Sequence, residues 1–363
     1  MRKVLQYVPS YNYGGIETFL YNLNRELYDK YRFYYLVETD LDDVTVKKLK
    51  SLGADIIRIP NMTKDGLLKH LNGIRKVFKN NKFDIVHVHD CNNRFFVMVE
   101  ALFHGVKRRI YHIHSQSISG NMLKRFFKKI GLKINLLFSN CCLSCSHEAA
   151  KAKGIKKCTV VNNGILAADF EFREGSRDKL RKKYNIPDNA IVLLFVGRVE
   201  KIKNVGYLID IMKEIPAELR DKYYLLIVGD GGELKGVREK AKATDGIKVI
   251  FAGSQKDLSS YYSVGDIFCL PSFNEGSPIA SLEAQASGLM CLLTENMPKT
   301  VNITNLTKFL GIEKTDTGKW VEEILSYTSL DGRRQMYSEI VEHSEFSSSN
   351  TAKRMDKIYG GAI

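Results

Sequence analysis

The sequence predicts an α/β protein with two domains, each built on a parallel sheet. Short apolar runs such as residues 4–8 and Ile191–Val196 alternate with segments whose apolar residues recur at helical spacing. Glycine-containing turns follow several of these runs, as expected where a strand leads into a helix. The chain has 363 residues, enough for about two domains. Its 44% hydrophobic content is sufficient for two substantial cores.

The expected boundaries follow from composition along the chain. Residues 1–165 form the first domain and residues 166–345 the second. Residues 166–190, which are rich in charged residues and are interrupted by Pro187, are predicted to be the linker between them. Residues 346–363, in which Phe346 is followed by a run of serines typical of a helix start, are predicted to form a terminal helix.

Composition also restricts the cellular location. No apolar run approaches the roughly 18 residues that a membrane-spanning helix needs. The first residues lead directly into a strand and lack the apolar core of a signal peptide. The seven cysteines are irregularly spaced and odd in number, as expected for reduced thiols. These features predict a cytoplasmic protein.

Positive charge is concentrated in the first domain. Residues 1–165 contain 28 Lys and Arg against 13 Asp and Glu, whereas residues 166–363 contain 27 against 28. Such a surface suits an anionic membrane, a phosphorylated acceptor or a nucleic acid, and the last is least favoured because no nucleic-acid-binding motif is present.

Residues 122–138 have the pattern of an amphipathic, basic helix. The apolar stripe contains Met122, Leu123, Phe126, Phe127, Ile130, Ile134 and Leu137. The basic residues beside it are Lys124, Arg125, Lys128, Lys129 and Lys133. An interfacial helix and an ordinary surface helix packed on its own sheet both fit this pattern.

A strand–turn–helix stretch between residues 270 and 291 carries the most informative chemistry. An apolar strand ends at Pro271, a turn with Gly276 and Ser277 follows, and a helix carries Glu283. N–H groups at a helix start attract anions, and a carboxylate one turn into the helix can accept two sugar hydroxyls. A nucleotide-sugar site is one interpretation, and a pair of surface acids, Glu275 and Glu283, is the other.

The order of motifs resembles a known family. Glu275-Gly276-Ser277-Pro278 followed by Glu283-Ala284 is similar to the Glu-seven-Glu signature of retaining GT-B glycosyltransferases of the group 1 (family 4) type, which includes bacterial capsular and exopolysaccharide enzymes. Three further matches occur in the expected order: Gly14-Gly15, His114, and Arg198 with Lys203. The resemblance implies two Rossmann-like, doubly wound domains facing across a cleft, with a C-terminal helix returning to the first domain.

The resemblance also implies roles for individual residues. The implied catalytic residues are His114 near the reacting end of the sugar, Arg198 and Lys203 on the departing diphosphate, and Glu275. The implied donor-binding residues are Gly14, Gly15, Gly229, Gly253, Ser254, Gly276, Ser277 and Glu283. Taken alone, the double glycine also fits a tight βα turn, and the basic loop also fits a solvent-facing segment.

Three clusters contain residue types that can bind a metal ion. They are the histidines at 87, 89, 112 and 114 on two strand ends, the pair Asp40 and Asp42, and the cysteines at 141, 142 and 145. None completes a ligand-spacing signature, so we expect no metal and no cofactor.

The expected activity is therefore metal-independent, retaining transfer of a sugar from a nucleotide diphosphate-sugar, expected to be a UDP-sugar, to a hydroxyl. The expected acceptor is a lipid-linked glycan in surface-polysaccharide assembly, which would place the protein on the inner face of the cell membrane. A nucleotide-sugar epimerase and a non-catalytic sugar-binding protein remain alternatives.

Overall fold

The computed structural model describes residues 1–11, 14–90, 94–116, 121–330 and 332–362, and it divides into two compact units. The first unit comprises Met1–Gly164 together with Ser348–Ile363, and the second comprises Ile165–Ser347.

The described part of the first unit contains a seven-stranded parallel sheet in the order β3-β2-β1-β4-β5-β6-β7. Its strands are β1 (Arg2–Tyr7), β2 (Tyr31–Val37), β3 (Asp55–Arg58), β4 (Ile85–His89), β5 (Arg108–Ile113), β6 (Cys141–Ser144) and β7 (Thr159–Val160). The helices between them are α1 (Gly15–Leu27), α2 (Asp43–Ser51), α3 (Leu67–Asn80), α4 (Phe96–Phe103), α5 (Met122–Phe138) and α6 (His147–Ala152).

The described part of the second unit contains a six-stranded parallel sheet in the order β10-β9-β8-β11-β12-β13. Its strands are β8 (Ile191–Val196), β9 (Tyr223–Val228), β10 (Lys248–Gly253), β11 (Ile267–Leu270), β12 (Met290–Thr294) and β13 (Thr307–Leu310). Its α-helices are α7 (Glu174–Lys183), α8 (Gly206–Glu214), α9 (Leu234–Lys242), α10 (Leu258–Val264), α11 (Ile279–Ala286), α12 (Thr317–Leu325) and α13 (Met336–Glu342).

Both sheets are doubly wound, which confirms the predicted fold class. In each unit the chain runs outward over three strands and then returns to the other side of its first strand. The order reverses between β1 and β4 in the first unit and between β8 and β11 in the second. Ligands of open α/β sheets bind beyond the carboxyl ends of the strands at such a reversal.

The strands are continuous apolar runs because both faces of each sheet are buried. Val4 of β1 packs in a cluster with Phe19 of α1, whereas the next residue, Leu5, packs on the opposite face with Ile74 of α3. A parallel strand covered by helices on both faces has no solvent side, so it needs apolar residues at successive positions.

The last helix, α14 (Ser348–Gly360), belongs to the first unit, as the fold class requires. It packs against α1, and Tyr359 near its end is fully buried. Asp356 accepts hydrogen bonds from the Tyr31 hydroxyl and the Lys30 ammonium, both at 2.7 Å. The terminal helix is thus fixed to the first sheet by apolar and polar contacts.

The predicted linker over residues 166–190 is wrong. This segment contains a short 3-10 helix, Ala167–Phe170, and helix α7, whose Leu180 lies in the core of the second unit. The charges that suggested a linker are partly internal, because Arg177 and Arg181 both donate to the carboxylate of Asp266. A high charge density was mistaken for solvent exposure.

Candidate active site

The reversal point of the second sheet brings together two loops that carry predicted site residues. One loop follows β8 and contains Lys203, and the other follows β11 and contains Glu275. The Lys203 ammonium donates to Glu275 Oε1 at 2.5 Å, and the backbone N–H of Phe273 donates to the carbonyl of Ile202 at 2.9 Å. Lys203 is therefore held in place before any ligand arrives.

Arg198 lies on the same loop as Lys203, directly after β8, and its side chain is exposed. It forms no ion pair with any residue that the structure describes. An exposed guanidinium is a suitable partner for a diphosphate, because it can donate two parallel hydrogen bonds to phosphate oxygens.

Glu283 lies on α11 and is 7% exposed. The Tyr262 hydroxyl of α10 donates to Glu283 Oε2 at 2.6 Å. Burial raises the pKa of Glu283 to about 7, and the hydrogen bond from Tyr262 opposes this shift. Further hydroxyl groups that donate hydrogen bonds to this carboxylate would stabilise its ionised form.

The start of α11 leaves backbone donors without a side-chain cap. Pro278 occupies the N-cap position and makes no side-chain hydrogen bond. Gly276 and Ser277, which precede it, are half-buried. The N–H groups of Ile279 and Ser281 already donate to the carbonyls of Ser277 and Pro278, both at 2.9 Å, so only part of this helix start is open to a negatively charged group.

Two of the glycines predicted to bind the donor, Gly229 and Gly253, have structural roles of their own. The N–H of Gly229 donates to the carbonyl of Gly253 at 2.8 Å. Gly229 has φ of +138°, and a Cβ atom there would lie 1.9 Å from the carbonyl oxygen of Gly197. Gly253 ends β10 with φ of +70°, and Ser254 after it is exposed. Close approach of the loops after β8 and β9 is sufficient to explain Gly229.

In the first unit, Gly14 and Gly15 stand at the start of α1, beyond the carboxyl end of β1, and both are exposed. Gly14 is fully extended, with φ of −176°, and this conformation is open to any residue. The missing side chain therefore matters more than backbone freedom, because it leaves the N–H groups of the first turn of α1 uncovered.

His114 follows β5 and belongs to a compact group with His87, His89 and His112, all buried. His89 Nδ1 lies 2.9 Å from His114 Nε2, and His87 Nε2 lies 3.2 Å from His112 Nδ1. The ring of Phe19 on α1 is within 6.5 Å of all four imidazole rings, measured between ring centroids.

The four histidines are neutral near pH 7. Burial lowers the pKa of each well below its usual value, and neighbouring histidines add to this effect at residues 87, 89 and 112. For His114 burial lowers the pKa to about 4; Asp90 opposes this shift and Lys153 adds to it. The Lys153 ammonium forms an ion pair with Asp90, whose carboxylate also accepts a hydrogen bond from Ser115.

Three of these histidines are close enough to be considered as a metal site. One ring nitrogen each from His87, His89 and His112 lies within 4.8 Å of the others. The nitrogens of His87 and His89 are already hydrogen-bonded to neighbours, so a metal ion would have to displace those bonds. The expectation that the protein uses no metal stays a prediction.

The other two clusters have structural explanations. Asp42 caps α2 by accepting from the N–H groups of Val44 and Thr45, and Asp40 forms an ion pair with Arg58. The cysteines at 141, 142 and 145 are free thiols, and Ser146 caps α6 by accepting from the N–H of Ala149.

Helix α5 exposes its apolar stripe. Met122 is 87% exposed and Leu137 76%, and Leu123, Phe126 and Phe127 are each more than half exposed. The side of the helix that contacts the core contains Gly131, Leu132 and Asn135. At about 100° per residue these two sides are nearly opposite. The helix therefore packs on its own domain through one side while most of its apolar stripe faces away from the sheet, and both interpretations of the helix stay open.

No helix in the described part of the chain has the length and apolar character needed to cross a membrane.

Doubly wound units of this kind, with a cationic loop and a buried carboxyl group at the second reversal point, are typical of proteins that bind nucleotides. Comparison with known families agrees with this class. Residues 13–167 match the model of Glycosyltransferase Family 4, and residues 176–343 match the model of glycosyl transferases group 1. Together these matches span most of the chain. The protein belongs to the group 1 (family 4) glycosyltransferases, with the GT-B architecture.

The alignments with two named relatives cover about four fifths of both chains. EpsF of Bacillus subtilis (strain 168), whose description as a glycosyltransferase is provisional, is 24% identical to this chain over 315 residues. The alignment covers 83% of this chain and 81% of EpsF. The chain is 27% identical over 304 residues to the Escherichia coli UDP-Gal:alpha-D-GlcNAc-diphosphoundecaprenol alpha-1,3-galactosyltransferase, covering 80% and 78%. Among solved structures, Alr3699/HepE of Anabaena, in complex with UDP and glucose, superposes with a TM-score of 0.78 at 16% identity, covering 99% and 100% of the chains.

Sequence reasoning missed several residues around the site. Tyr262, which holds Glu283, gave no signal, because its contact depends on how α10 packs against α11. Gln6 contacts both His89 and Tyr359. A polar residue inside the apolar first strand was a usable signal for Gln6, since such a residue needs buried partners.

Proposed function

We propose that this protein is a retaining, metal-independent glycosyltransferase that moves a sugar from a UDP-sugar onto a lipid-linked acceptor at the inner face of the cell membrane. The observation that carries the proposal is the group at the reversal point of the second sheet. The Lys203–Glu275 ion pair, the exposed Arg198 and the buried Glu283 all belong to segments that meet there.

Glu283 suits the ribose of the nucleotide. Its Oε2 is held by Tyr262, and its carboxyl group is buried, so a ligand that donates hydroxyl groups would stabilise the ionised form. Ribose offers two adjacent hydroxyls for this purpose. Binding energy gained here positions the sugar end of the donor without acting on the reacting bond.

Arg198 and Lys203 suit the diphosphate. When the bond between the anomeric carbon and the phosphate oxygen breaks, negative charge develops on the leaving diphosphate, and two fixed cations stabilise it. Glu275 holds Lys203 ready, at 2.5 Å, and competes with phosphate for the same ammonium. This arrangement supplies the charge that a divalent ion supplies in other transferases.

Retention follows if the acceptor oxygen attacks the face from which the diphosphate leaves. The bond between the anomeric carbon and the phosphate oxygen breaks, and the bond from that carbon to the acceptor oxygen forms. The proton of the acceptor hydroxyl passes to the departing phosphate oxygen. The motif residues include no separate carboxylate nucleophile for a two-step route, since Glu275 is paired with Lys203 and Glu283 with Tyr262.

The choice of UDP rests on relatives. The Escherichia coli relative is named for a UDP-Gal donor, and the Anabaena structure contains UDP. The acceptor of the Escherichia coli relative is named as a diphosphoundecaprenol-linked sugar. An acceptor anchored in a membrane brings the enzyme to that membrane.

Helix α5 supports membrane attachment. Its exposed stripe is flanked by Lys124, Arg125, Lys129 and Lys133, all exposed. Aromatic and aliphatic side chains beside basic residues are typical of helices that lie in the interface of an anionic membrane. The net positive charge of residues 1–165 acts in the same direction.

A two-stage experiment tests this function. A thermal-shift screen of nucleotides and nucleotide-sugars identifies the base, because a ligand at 100 times its dissociation constant stabilises the fold by about 2.7 kcal/mol. The stabilising donor is then incubated with vesicles that contain polyprenyl diphosphate-linked sugars. Lipid-linked product is expected. Epimerised donor would indicate an epimerase instead, and unchanged donor with every acceptor would indicate a binding protein.

A further inference from the structure

Gln6 connects two short chains of hydrogen-bonded histidines inside the first unit. Its side chain is fully buried near the carboxyl end of β1, and the residue pairs with His87 of β4. The amide oxygen lies 2.7 Å from His89 Nε2, and the amide nitrogen donates to the Tyr359 hydroxyl at 2.9 Å. Each chain starts at one end of this amide.

The first chain runs from Gln6 through His89 to His114. A carbonyl oxygen only accepts, so His89 Nε2 carries the proton in that bond. His89 is neutral, which leaves its Nδ1 unprotonated, and Nδ1 accepts from His114 Nε2 at 2.9 Å. His114 is also neutral, so its Nδ1 carries a lone pair and no proton. That atom is buried and has no partner among the described residues.

The second chain runs from Gln6 through Tyr359 and His87 to His112. The Tyr359 oxygen accepts from Gln6, so its proton is available for His87 Nδ1 at 2.9 Å. His87 then donates from Nε2 to His112 Nδ1 at 3.2 Å. His112 consequently carries its proton on Nε2, which has no partner in the described part of the chain.

We propose that Gln6 is a positioning residue that fixes the tautomer of His114, so that His114 presents a hydrogen-bond acceptor, Nδ1, to a hydroxyl of the transferred sugar. This inference rests on the proposed transferase function. Three observations carry it: the fixed polarity of the Gln6 amide, the direct His89–His114 bond, and the buried, unpartnered Nδ1 at the end of the chain.

The proposal specifies what His114 can recognise. An unprotonated ring nitrogen accepts a hydrogen bond from a hydroxyl or an N–H group, and it repels a carboxylate, which has no proton to donate. The site therefore favours a neutral sugar with a free hydroxyl at this position over a uronic acid. Phe19 packs against the ring and keeps its orientation fixed.

Two variants separate the role of Gln6 from a general effect on packing. Gln6→Met removes the acceptor for His89 and the donor for Tyr359, and it keeps the length of the side chain. Tyr359→Phe removes only the hydroxyl of the second chain and leaves the Gln6–His89–His114 chain in place. It is the matched control, because it also deletes a buried hydrogen bond from the same network.

The readout is the tautomer of His114 in the unliganded protein, measured by long-range ¹H–¹⁵N NMR on protein labelled at histidine. His114→Asn identifies the signal by its disappearance. We expect the Nε2–H tautomer in wild type and in Tyr359→Phe, and a mixture of tautomers in Gln6→Met. The turnover number of Gln6→Met should fall in proportion to the remaining Nε2–H fraction, at unchanged affinity for the free nucleotide.

Several results would overturn the proposal. One is a wild-type His114 protonated on Nδ1, and another is a Gln6→Met variant with the wild-type tautomer and turnover number. Stoichiometric metal bound to these histidines in purified protein would also overturn it. The wild-type spectrum decides the tautomer even if Gln6→Met fails to fold. It needs no substrate, so it stands independently of whether the transferase function is correct.

Discussion

Replacing Glu283 by Gln should uncouple nucleotide-sugar binding from pH. Burial raises the pKa of Glu283 from 4.5 to about 7. Between these two values the folded protein holds a proton that the unfolded chain has lost. The free energy of unfolding therefore falls as pH rises through this window and stays low above pH 7. A shift of this size corresponds to about 3 kcal/mol.

The same shift predicts how affinity depends on pH. Ribose hydroxyls would donate to the ionised carboxylate, so a bound nucleotide would lower the pKa of Glu283 and binding would release a proton. With a pKa near 7 in the free protein, the ionised fraction rises about tenfold from pH 6 to pH 8, and affinity should rise with it. The diphosphate of a UDP-sugar does not titrate near neutral pH, so it does not contribute to the pH dependence of the affinity.

Isothermal titration calorimetry at pH 6, 7 and 8, in two buffers of different ionisation enthalpy, measures both affinity and proton release. Wild type should release about half a proton at pH 7. Glu283→Gln should release none. It should bind about 10–100-fold more weakly at pH 8 through loss of the charged acceptor, while unfolding at a higher temperature than wild type. A pH-independent affinity in wild type, or equal affinities of the two proteins at pH 8, would refute the assignment of Glu283 to the ribose.

Four further predictions concern other parts of the molecule. Arg198→Ala and Lys203→Ala should each lower the turnover number by about 10²–10³, with little effect on nucleoside affinity. Because both residues act on one diphosphate, the double mutant should lose less than the product of the two factors. A double mutant with wild-type turnover would contradict this role. Changing Lys124, Arg125, Lys129 and Lys133 to Glu should reduce binding to anionic liposomes, measured by flotation, more than a hundredfold, at about 1 kcal/mol per basic residue. The charge-matched control carries the same change at four exposed lysines elsewhere, Lys47, Lys50, Lys76 and Lys79. An equal loss of liposome binding in both variants would leave only net charge as the cause. Gly229→Ala should destabilise the fold by more than about 2 kcal/mol, because the new Cβ atom would lie 1.9 Å from the carbonyl oxygen of Gly197. The control Gly175→Ala in α7 should not, because no atom lies within 4 Å of its new Cβ atom. Equal melting temperatures of the two variants would refute the close approach at Gly229. The pKa values of the four buried histidines lie below their values in the unfolded chain, so the unfolded chain binds these protons first as pH drops and the free energy of unfolding should fall from pH 6.5 toward pH 4. In urea titrations, the free energy of unfolding of His87→Gln should depend less steeply on pH in this range. An unchanged dependence would show that His87 is already charged.

The alternation of strands and helices and the positions of the main motifs could be predicted because they depend on local pattern, whereas the doubly wound order of the strands was implied only by the family resemblance. Buried parallel strands are continuous apolar runs. A glycine is typical of a helix end, and Gly288 lies just after α11 with φ of +68°. Aspartate is likewise typical of a helix start, and Asp257 caps α10, Leu258–Val264, by accepting from the N–H of Ser260. Such features are written in neighbouring residues.

Contacts between distant segments could not be predicted in the same way. The Lys203–Glu275 pair joins residues 72 positions apart, and Tyr359 reaches His87 across 272 positions. The misassigned linker at 166–190 has the same origin, because Arg177 and Arg181 find Asp266 almost 90 positions away. A single sequence records the residue types at these positions but not which of them meet.

The anomeric configuration of the product is the most direct test of the proposed reaction. The donor that passes the thermal-shift screen, with its sugar α-linked to the diphosphate, is incubated with the lipid-linked acceptor on anionic vesicles. The new linkage is then assigned from the anomeric proton coupling by NMR. Same-face attack assisted by the departing diphosphate predicts an α-linked product from wild type and almost none from Arg198→Ala. A β-linked product, or an α-linked product formed equally well without Arg198, would contradict this account.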